Sequence, residues 1–512
     1  MNMNNMILAV PVLLPVIGGG SILFSERRSR GGRRLLSPER FAGCLVLLNS
    51  LIVAAILLIP GARGEGLVLF RLFANLTVMF RIDRMGSVFA GLVAFLWPLA
   101  TLYSFEYMKH ENRKDTFFAF YVMTYGITMG IAFAGNLTTL YLFYEMLTLV
   151  TFPLVLFPLS REAVRASRTY LYFSIGGAAF AFIGLVFVMS FSVTGTTAFQ
   201  PGGMLNPETA AGSRDILLFV YVLAFFGFGV KAAVFPCHVW LPRATVAPTP
   251  VTALLHAVAV VKSGAFAILR FTYFNYGAGF VRGSWAQWVI MAAALTTILF
   301  GSTMAVREVH WKRRLAYSTI SNLSYILFGA ALMTPFGLAA SLSHLTAHAF
   351  MKICSFFCAG AVMHQTGKTY IYELDGLGRR MPVTFACLLT ASLSLMGIPL
   401  FAGFISKWNL CRAAFLYGDQ YADGPGGWLV YAGVAVILYS ALMTGIYMFS
   451  VLIRAYTPVH EGQAQEDPAQ TASDPGWMML VPLLIFAAVI LLIGLHSGPL
   501  MGLLTAIGGE AG

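Results

Sequence analysis

Residues 229–270 read GVKAAVFPCHVWLPRATVAPTPVTALLHAVAVVKSGAFAILR, forty-two residues with four basic side chains and no acidic one. Two of the four, Lys231 and Lys262, stand inside apolar stretches that would otherwise pass for membrane spans. An ionised side chain at the bilayer centre costs about 3 kcal/mol on the insertion scale, so lysines there mark a pathway or a partner. Gly229 and Pro236 bracket Lys231, and Gly and Pro at membrane depth predict an interrupted helix lining a cavity.

The rest of the chain agrees that the solvent is hydrocarbon. Of 512 residues, 58% are hydrophobic and 11% charged, with mean hydropathy +0.77. A soluble domain carries about a quarter charged residues, which excludes a soluble enzyme. A disordered chain is excluded as well, because so much apolar surface must be buried. Applying a threshold of roughly 18 to 25 apolar residues per span, the sequence predicts an all-α polytopic membrane protein of fourteen helices. Their centres lie near residues 15, 50, 95, 126, 148, 181, 226, 261, 296, 323, 351, 398, 441 and 487. Met6 to Phe24 is followed by Arg27, Arg28 and Arg30 rather than by a cleavage site, and reads as a retained first helix. Residues 64–82, with Arg71 and Arg81, read as an extended or hairpin segment at the surface. The polar stretch 455–476 reads as a linker.

The net charge of +12 follows from topology rather than from a nucleic-acid partner. When basic residues are assigned to alternate sides of the predicted helices, one side carries twenty-one and the other seven. The positive-inside rule makes the first side cytoplasmic, and an even number of spans then places both termini outside. Five basic residues remain at membrane depth, Lys231, Lys262, Lys352, Lys407 and Arg412, together with one acid, Glu145. Arg412 lies near a helix end, where it can snorkel. The other five form the candidate site. Desolvation favours the neutral form of a lysine and a nearby carboxylate the charged form, so a lysine whose carboxylate partner moves is a loadable proton site.

Helices seven and twelve are expected to be broken, the first at Gly229 and Pro236, the second at Gly397, Pro399 and Gly403. The two broken-helix lysines, Lys231 and Lys407, are separated by five helices per unit. An odd number inverts the repeat, which predicts an inverted pair of five-helix units over 116–274 and 285–453. Residues 1–115 would precede them with three helices and the hairpin, and helix fourteen, 477–496, would follow. His344, His348 and Lys352 recur every four residues and form one polar stripe; His256 lies near Lys262 on helix eight. Histidine titrates near neutrality, so a hydrated relay across the midplane is one reading, while a histidine pair ligating haem or a metal is another. His110, His238, His310, His364, His460 and His496 receive no role. Cys354 and Cys358, four apart without further ligands, read as small apolar residues. No phosphate-binding or dinucleotide-binding glycine motif is present.

Several strings resemble one family. Besides 229–270 they are FRIDRMGSVF around Asp83, LYLFYEMLTLVTFPLV around Glu145, WKRRLAYSTISNLSYI at 311–326, HAFMKICSFFCAGAVMHQTG at 348–367 and MGIPLFAGFISKW at 396–408. They are similar to the antiporter-like proton-translocating subunits shared by respiratory complex I, Mrp-type cation/proton antiporters and membrane-bound energy-converting hydrogenases. The resemblance spans roughly 80–410. It implies that Glu145 and Lys231 form an ion pair between helices five and seven, that Lys262 is the central lysine with His256 beside it, that His348 and Lys352 form the helix-eleven site, and that Lys407 is the terminal lysine. His344 is less regular in the family. Some members carry Glu at the Lys407 position, and many carry an acid where this chain has Arg243. The family's long lateral helix after helix fourteen is expected to be absent.

By the same resemblance the protein has no cofactor or metal of its own, and iron–sulfur, flavin or nickel–iron centres belong to partner subunits. Expected partners are other hydrophobic membrane subunits, lipids, protons and, as a candidate counter-ion, Na+. The expected location is the cytoplasmic membrane of a prokaryote. The leading function is proton relay in a redox-driven complex, and the alternative is a role within an Mrp-type Na+/H+ antiporter. A solute transporter binding at the broken helices is a third reading, which the predominance of titratable over varied polar groups disfavours.

Overall fold

A computed structural model of the chain describes residues 6–28, 37–58, 66–73, 75–421, 426–458 and 472–511. Arg30, Arg33, Arg34, Arg63 and linker residues 459–471 lie outside the described residues. The described chain is helical apart from a two-stranded hairpin and short connections.

The first three long helices are α1 (Val10–Arg28), α2 (Pro38–Leu58) and α3 (Arg84–Tyr107). Between α2 and α3, strands β1 (Leu67–Phe73) and β2 (Leu76–Phe80) pair antiparallel, with Leu67 opposite Phe80. Then come α4 (Lys114–Ala132), α5 (Leu137–Leu156), α6 (Arg161–Phe191) and α7 (Arg214–Gly229). α8 (Thr249–Ala257) and α9 (Val260–Arg270) follow, separated at Val258 and Ala259, and α9 runs on into a wider turn, Phe271–Tyr276. α10 (Trp285–Arg307), α11 (Trp311–Ala331) and α12 (Pro335–Thr366) precede the pair α13 (Pro382–Met396) and α14 (Ala402–Tyr421). The remaining helices are α15 (Trp428–Tyr456), α16 (Trp477–Leu495) and α17 (Gly498–Ala511).

Ten of the apolar segments are long enough to cross a membrane, by length and composition, among the described residues. Most bury only about half of such a span, leaving an apolar outer face for lipid; the α8–α9 segment is buried throughout, and α12 from Gly337 to Val362. That contrast separates the ring from the core. A helix with no solvent-like face can carry polar groups inward without exposing them to hydrocarbon.

The helix ends have local causes. Asn136 caps α5 by accepting from the Thr139 amide at 2.7 Å, and Ser160 caps α6 by accepting from the Ala163 amide at 3.0 Å. Asp83 caps α3 through the Gly86 amide at 2.7 Å and also pairs with Arg270 at the far end of α9. Burial would raise the Asp83 carboxyl's pKa, but the Arg270 guanidinium and the Gly86 amide hold it below the ordinary carboxylate range. Arg270 is fully buried and lies 4.8 to 5.0 Å from the rings of Phe199, Phe266 and Phe274. The count of basic residues by side places Arg270 among the seven of the less basic side; the structure buries it. Lys312 and Arg314, also in that count, are each nearly buried at the start of α11: Lys312 donates to the Ala247 carbonyl at 2.9 Å, and Arg314 to the Tyr447 carbonyl at 2.8 Å.

Candidate proton-relay site

α7 ends at Gly229, so Lys231 lies just beyond the helix rather than several residues inside it. The backbone turns away because Ala233 takes a left-handed conformation, φ 56°, and because the Trp240 indole donates to the freed Val230 carbonyl at 2.8 Å. α9 then comes close. A Cβ on Gly264 would meet the Ala232 amide nitrogen at 2.5 Å, so only glycine lets α9 approach the Lys231 backbone.

Lys231 is fully buried, with Nζ 3.9 Å from Glu145 Oε1, 3.4 Å from the centroid of the Tyr144 ring, and bonded to the Tyr144 carbonyl. Glu145, in the middle of α5, keeps 27% of its side chain exposed, and its Oε1 has no hydrogen-bond partner. The two charges therefore attract without a direct hydrogen bond. At about 4 Å and an effective dielectric near 20, unit charges interact by about 4 kcal/mol, enough to change which of the two holds a proton when the separation changes.

The centre of the site joins two helices. Lys262 Nζ, on α9, lies 2.6 Å from His348 Nδ1, on α12, and 3.3 Å from the His256 carbonyl. All three residues are fully buried. A 2.6 Å contact between an amine and a ring nitrogen requires one proton between them, on either partner. The His348 ring stacks on His344 with centroids 5.8 Å apart. His344 Nδ1 lies 2.9 Å from Ser406 Oγ on α14, and Tyr325 meets the same ring edge-on at 5.1 Å. Nε2 of both histidines is buried without a hydrogen-bond partner.

The last lysine, Lys407, stands on α14 and reaches back to the end of α13. Lys407 Nζ donates to the carbonyls of Leu395 at 2.7 Å and Met396 at 3.1 Å, and lies 5.3 Å from the Tyr325 ring centroid. Those carbonyls end α13, where the helix dipole favours a cation. Gly397, at φ 94°, ends α13; Pro399 lies in the break; and Gly403 packs where a Cβ would overlap the Ser394 carbonyl oxygen.

The structure thus places Lys262, His348, His344 and Lys407 in one chain of side-chain contacts, bridged by Ser406 and Tyr325, with only the backbone carbonyl of His256 touching it. Lys352, one turn beyond His348, turns instead to α11, donating to Ser318 Oγ at 2.6 Å and the Leu315 carbonyl at 3.2 Å. His256 makes no side-chain hydrogen bond and packs on Phe356. Lys231 touches no other titratable member of the site except Glu145. Among the described residues no group of three or more His, Cys, Asp or Glu side chains is arranged to hold a metal ion. Ser318, Tyr325 and Ser406 escaped the sequence reading. For Ser318 and Tyr325 the run AYSTISNLSY in α11 was the available signal, a polar sequence within a buried helix.

Two family models match the chain. The model described as "NADH:quinone oxidoreductase/Mrp antiporter, TM" covers residues 134–422, and that described as "NADH-Ubiquinone oxidoreductase (complex I), chain 5 N-terminus" covers 73–118. The chain belongs to the NADH:quinone oxidoreductase/Mrp antiporter family. Within the family it is 31% identical to the F(420)H(2) dehydrogenase subunit L of Methanosarcina mazei, over 94% of this chain and 72% of that one. It is 32% identical to NADH-quinone oxidoreductase subunit N of Desulforudis audaxviator, over 81% of each. It is 29% identical to a probable K(+)/H(+) antiporter subunit of Rhizobium meliloti over 97% of its own length, but spans only 48% of that relative. The chain therefore covers about half of that antiporter protein's length.

The fold is shared with solved structures. A chain of the archaeal membrane-bound sulfane sulfur reductase superposes with TM-score 0.81 at 24% identity, covering 98% of this chain and 97% of that one. A chain of the Mrp complex from Dietzia sp. gives 0.81 at 22% identity, covering 100% and 98%, and one of respiratory complex I from Thermus thermophilus gives 0.78 at 21%, covering 99% and 100%. At these identities the likeness shows the fold.

Proposed function

We propose that this chain is the proton-translocating subunit of a multisubunit membrane complex, relaying protons along a lateral axis from Glu145 and Lys231 through Lys262 and His348 to His344 and Lys407. The observation that carries the reading is the 2.6 Å contact between Lys262 and His348, two fully buried titratable groups on different helices. A proton loaded on Lys231 or Lys262 is displaced when the Glu145 pair closes. It passes to His348, then by the stacked His344 and Ser406 toward Lys407. Lys352 and His256 flank the axis and set its charge.

The architecture proposed for this function has fourteen spans. α8 with α9 make one, and α13 with α14 make another. Two inverted five-helix units, 116–274 and 285–453, lie between residues 1–115 and 477–496. The corresponding endings of α7 at Gly229 and α13 at Met396 support the repeat. The membrane proposed is a prokaryotic cytoplasmic one, and the excess of basic residues on one side favours both termini outside.

The partners proposed are other hydrophobic subunits, and the energy source is redox chemistry carried by cofactors in them. The match to a dehydrogenase subunit over most of both chains supports this. A second reading, a component of a cation/proton antiporter exchanging Na+ or K+, is favoured by the antiporter match over 97% of this chain. The deciding experiment is gentle purification of the tagged protein from its own membrane with mass spectrometry of what accompanies it. Iron–sulfur or hydrogenase-like subunits establish redox coupling; only small hydrophobic antiporter-type partners establish the second reading. Lys231→Ala and Glu145→Ala complexes that each pump protons at the wild-type rate would overturn both.

A further inference from the structure

One face of α6 carries two adjoining cavities of opposite character. Near the helix start, a 520 Å³ cavity is lined by Arg165 and Arg243, with Arg313 and His238 beside them. Glu162 pairs with Arg313 at 2.9 Å, and the other acid in the wall, Glu308, accepts from the His310 amide at 3.1 Å. Arg165 and Arg243 have no carboxylate within ion-pair distance among the described residues; Arg243 instead donates to Thr169 Oγ1 at 3.2 Å. One turn further, a 290 Å³ groove lies between α6 and α7, walled by Tyr172, Phe173, Gly177, Phe180 and Phe226, with Gly176 in its floor.

The two belong to one site. Residues 165, 169, 172, 176 and 180 recur at three to four residues and so share a helix face. The adjacent residues Cys237 and His238 line the groove and the cationic cavity, respectively. From Thr169 to Phe180 the helix rises about 16 Å, close to the roughly 15 Å depth of one leaflet's hydrocarbon. A phosphate needs the unpaired guanidinium groups, and an acyl chain needs the groove below them. A free anion would fill only the first, and an apolar partner helix only the second.

We propose that this face binds one anionic phospholipid, its phosphate between Arg165 and Arg243 and an acyl chain along Gly176 and Gly177. The chain lies against Val230 and Cys237, which flank the turn after α7, so the lipid buttresses the helix ending that sets Lys231. Assignment to the cytoplasmic leaflet rests on the orientation proposed above; the binding itself does not.

The test is lipid retention by the purified complex, in nanodiscs of phosphatidylglycerol and phosphatidylcholine, followed by mild detergent exchange and native mass spectrometry. Wild type keeps one phosphatidylglycerol in preference to phosphatidylcholine. At roughly fivefold per basic residue at a membrane surface, Arg165→Gln with Arg243→Gln weakens that retention about 30-fold. Gly176→Leu is the second variant. Nothing lies within 4 Å of a Cβ there, so the protein keeps its melting temperature while the groove is filled and the lipid lost. Equal retention in all three proteins, equal retention of the two lipids, or displacement by millimolar inorganic phosphate overturns the proposal. So does cross-linking of Gly176→Cys to a neighbouring protein of the complex. A complex that pumps protons but keeps no lipid defeats this inference alone, and one that keeps the lipid but does not pump defeats the relay alone.

Discussion

Lys407 closes the end of a helix to which it does not belong: its ammonium takes the last two carbonyls of α13, Leu395 and Met396, from a position on α14. A side chain in that role carries both a charge and a backbone connection, so its protonation state and the geometry of the break are coupled. When Lys407 loses its proton the carbonyls lose a charged donor, and the break is free to relax.

Replacing a relay lysine with arginine separates charge from proton exchange. Arginine does not deprotonate in proteins. Lys407→Arg and Lys231→Arg should therefore keep a cation in place, preserve assembly with partner subunits, and reduce proton translocation by about tenfold or more. Dye-quenching assays on reconstituted complex measure the rate, and co-purification measures assembly. Undiminished pumping by either variant would show that its lysine carries no proton.

Lys262 and His348 share one proton and should act as a unit. Lys262→Met and His348→Gln are each expected to abolish most of the pumping, and the double variant to be no worse than the more damaging single one, since residues that act as a unit are grossly non-additive. Pumping rates of the three variants give the cycle directly. A double variant whose loss equals the product of the two single losses would mean that the pair works as two separate sites.

Asp83→Asn leaves the buried Arg270 guanidinium without its counter-charge, a loss of about 3 to 5 kcal/mol. Adding Arg270→Met should recover much of it, because an apolar side chain suits the cage of Phe199, Phe266 and Phe274. The wild-type pair also sets a pH dependence. Since the folded Asp83 titrates below its ordinary value, its contribution is complete above the ordinary carboxylate range and is lost only as pH falls through the depressed value. Thermal unfolding of the purified complex against pH checks both. Falling stability between pH 7 and 6 in wild type but not in the double variant would contradict the assignment.

Two glycines should respond oppositely to alanine. Gly403→Ala places a methyl group on the Ser394 carbonyl and is expected to destabilise the protein by about 1 to 3 kcal/mol or more. Gly176→Ala meets open space and should stay within about 0.5 kcal/mol of wild type. Melting temperatures in one detergent decide the comparison; a neutral Gly403→Ala would mean the break adjusts more easily than its packing indicates.

Charge in an apolar setting made the site legible. Glu145, Lys231, Lys262, Lys352 and Lys407 stand out because hydrocarbon penalises each of them, and His344 and His348 follow from helical spacing. Hydroxyls carry no such penalty. Thr128, Thr319 and Thr346 satisfy themselves on the carbonyl four residues back, so Ser318 and Ser406, which reach to other helices, look no different in sequence. Arg270, Lys312 and Arg314 are hidden for the complementary reason: a count of basic residues by side does not distinguish buried ones from solvated ones. The interruption at Val258 and Ala259 was hidden because it contains neither glycine nor proline. The turn just after Lys231 is equally hidden, since its left-handed conformation falls on Ala233, a residue that normally signals helix.

The Asp83–Arg270 pair has a practical consequence for dissecting this protein. A fragment that began at residue 116 would retain the guanidinium at the end of α9 and lose the only carboxylate paired with it among the described residues. An expression strategy that trims the first three helices would thus produce a protein with a stranded internal cation rather than a smaller working relay. Split versions should keep residue 83 and residue 270 on the same polypeptide, or supply the missing half in trans.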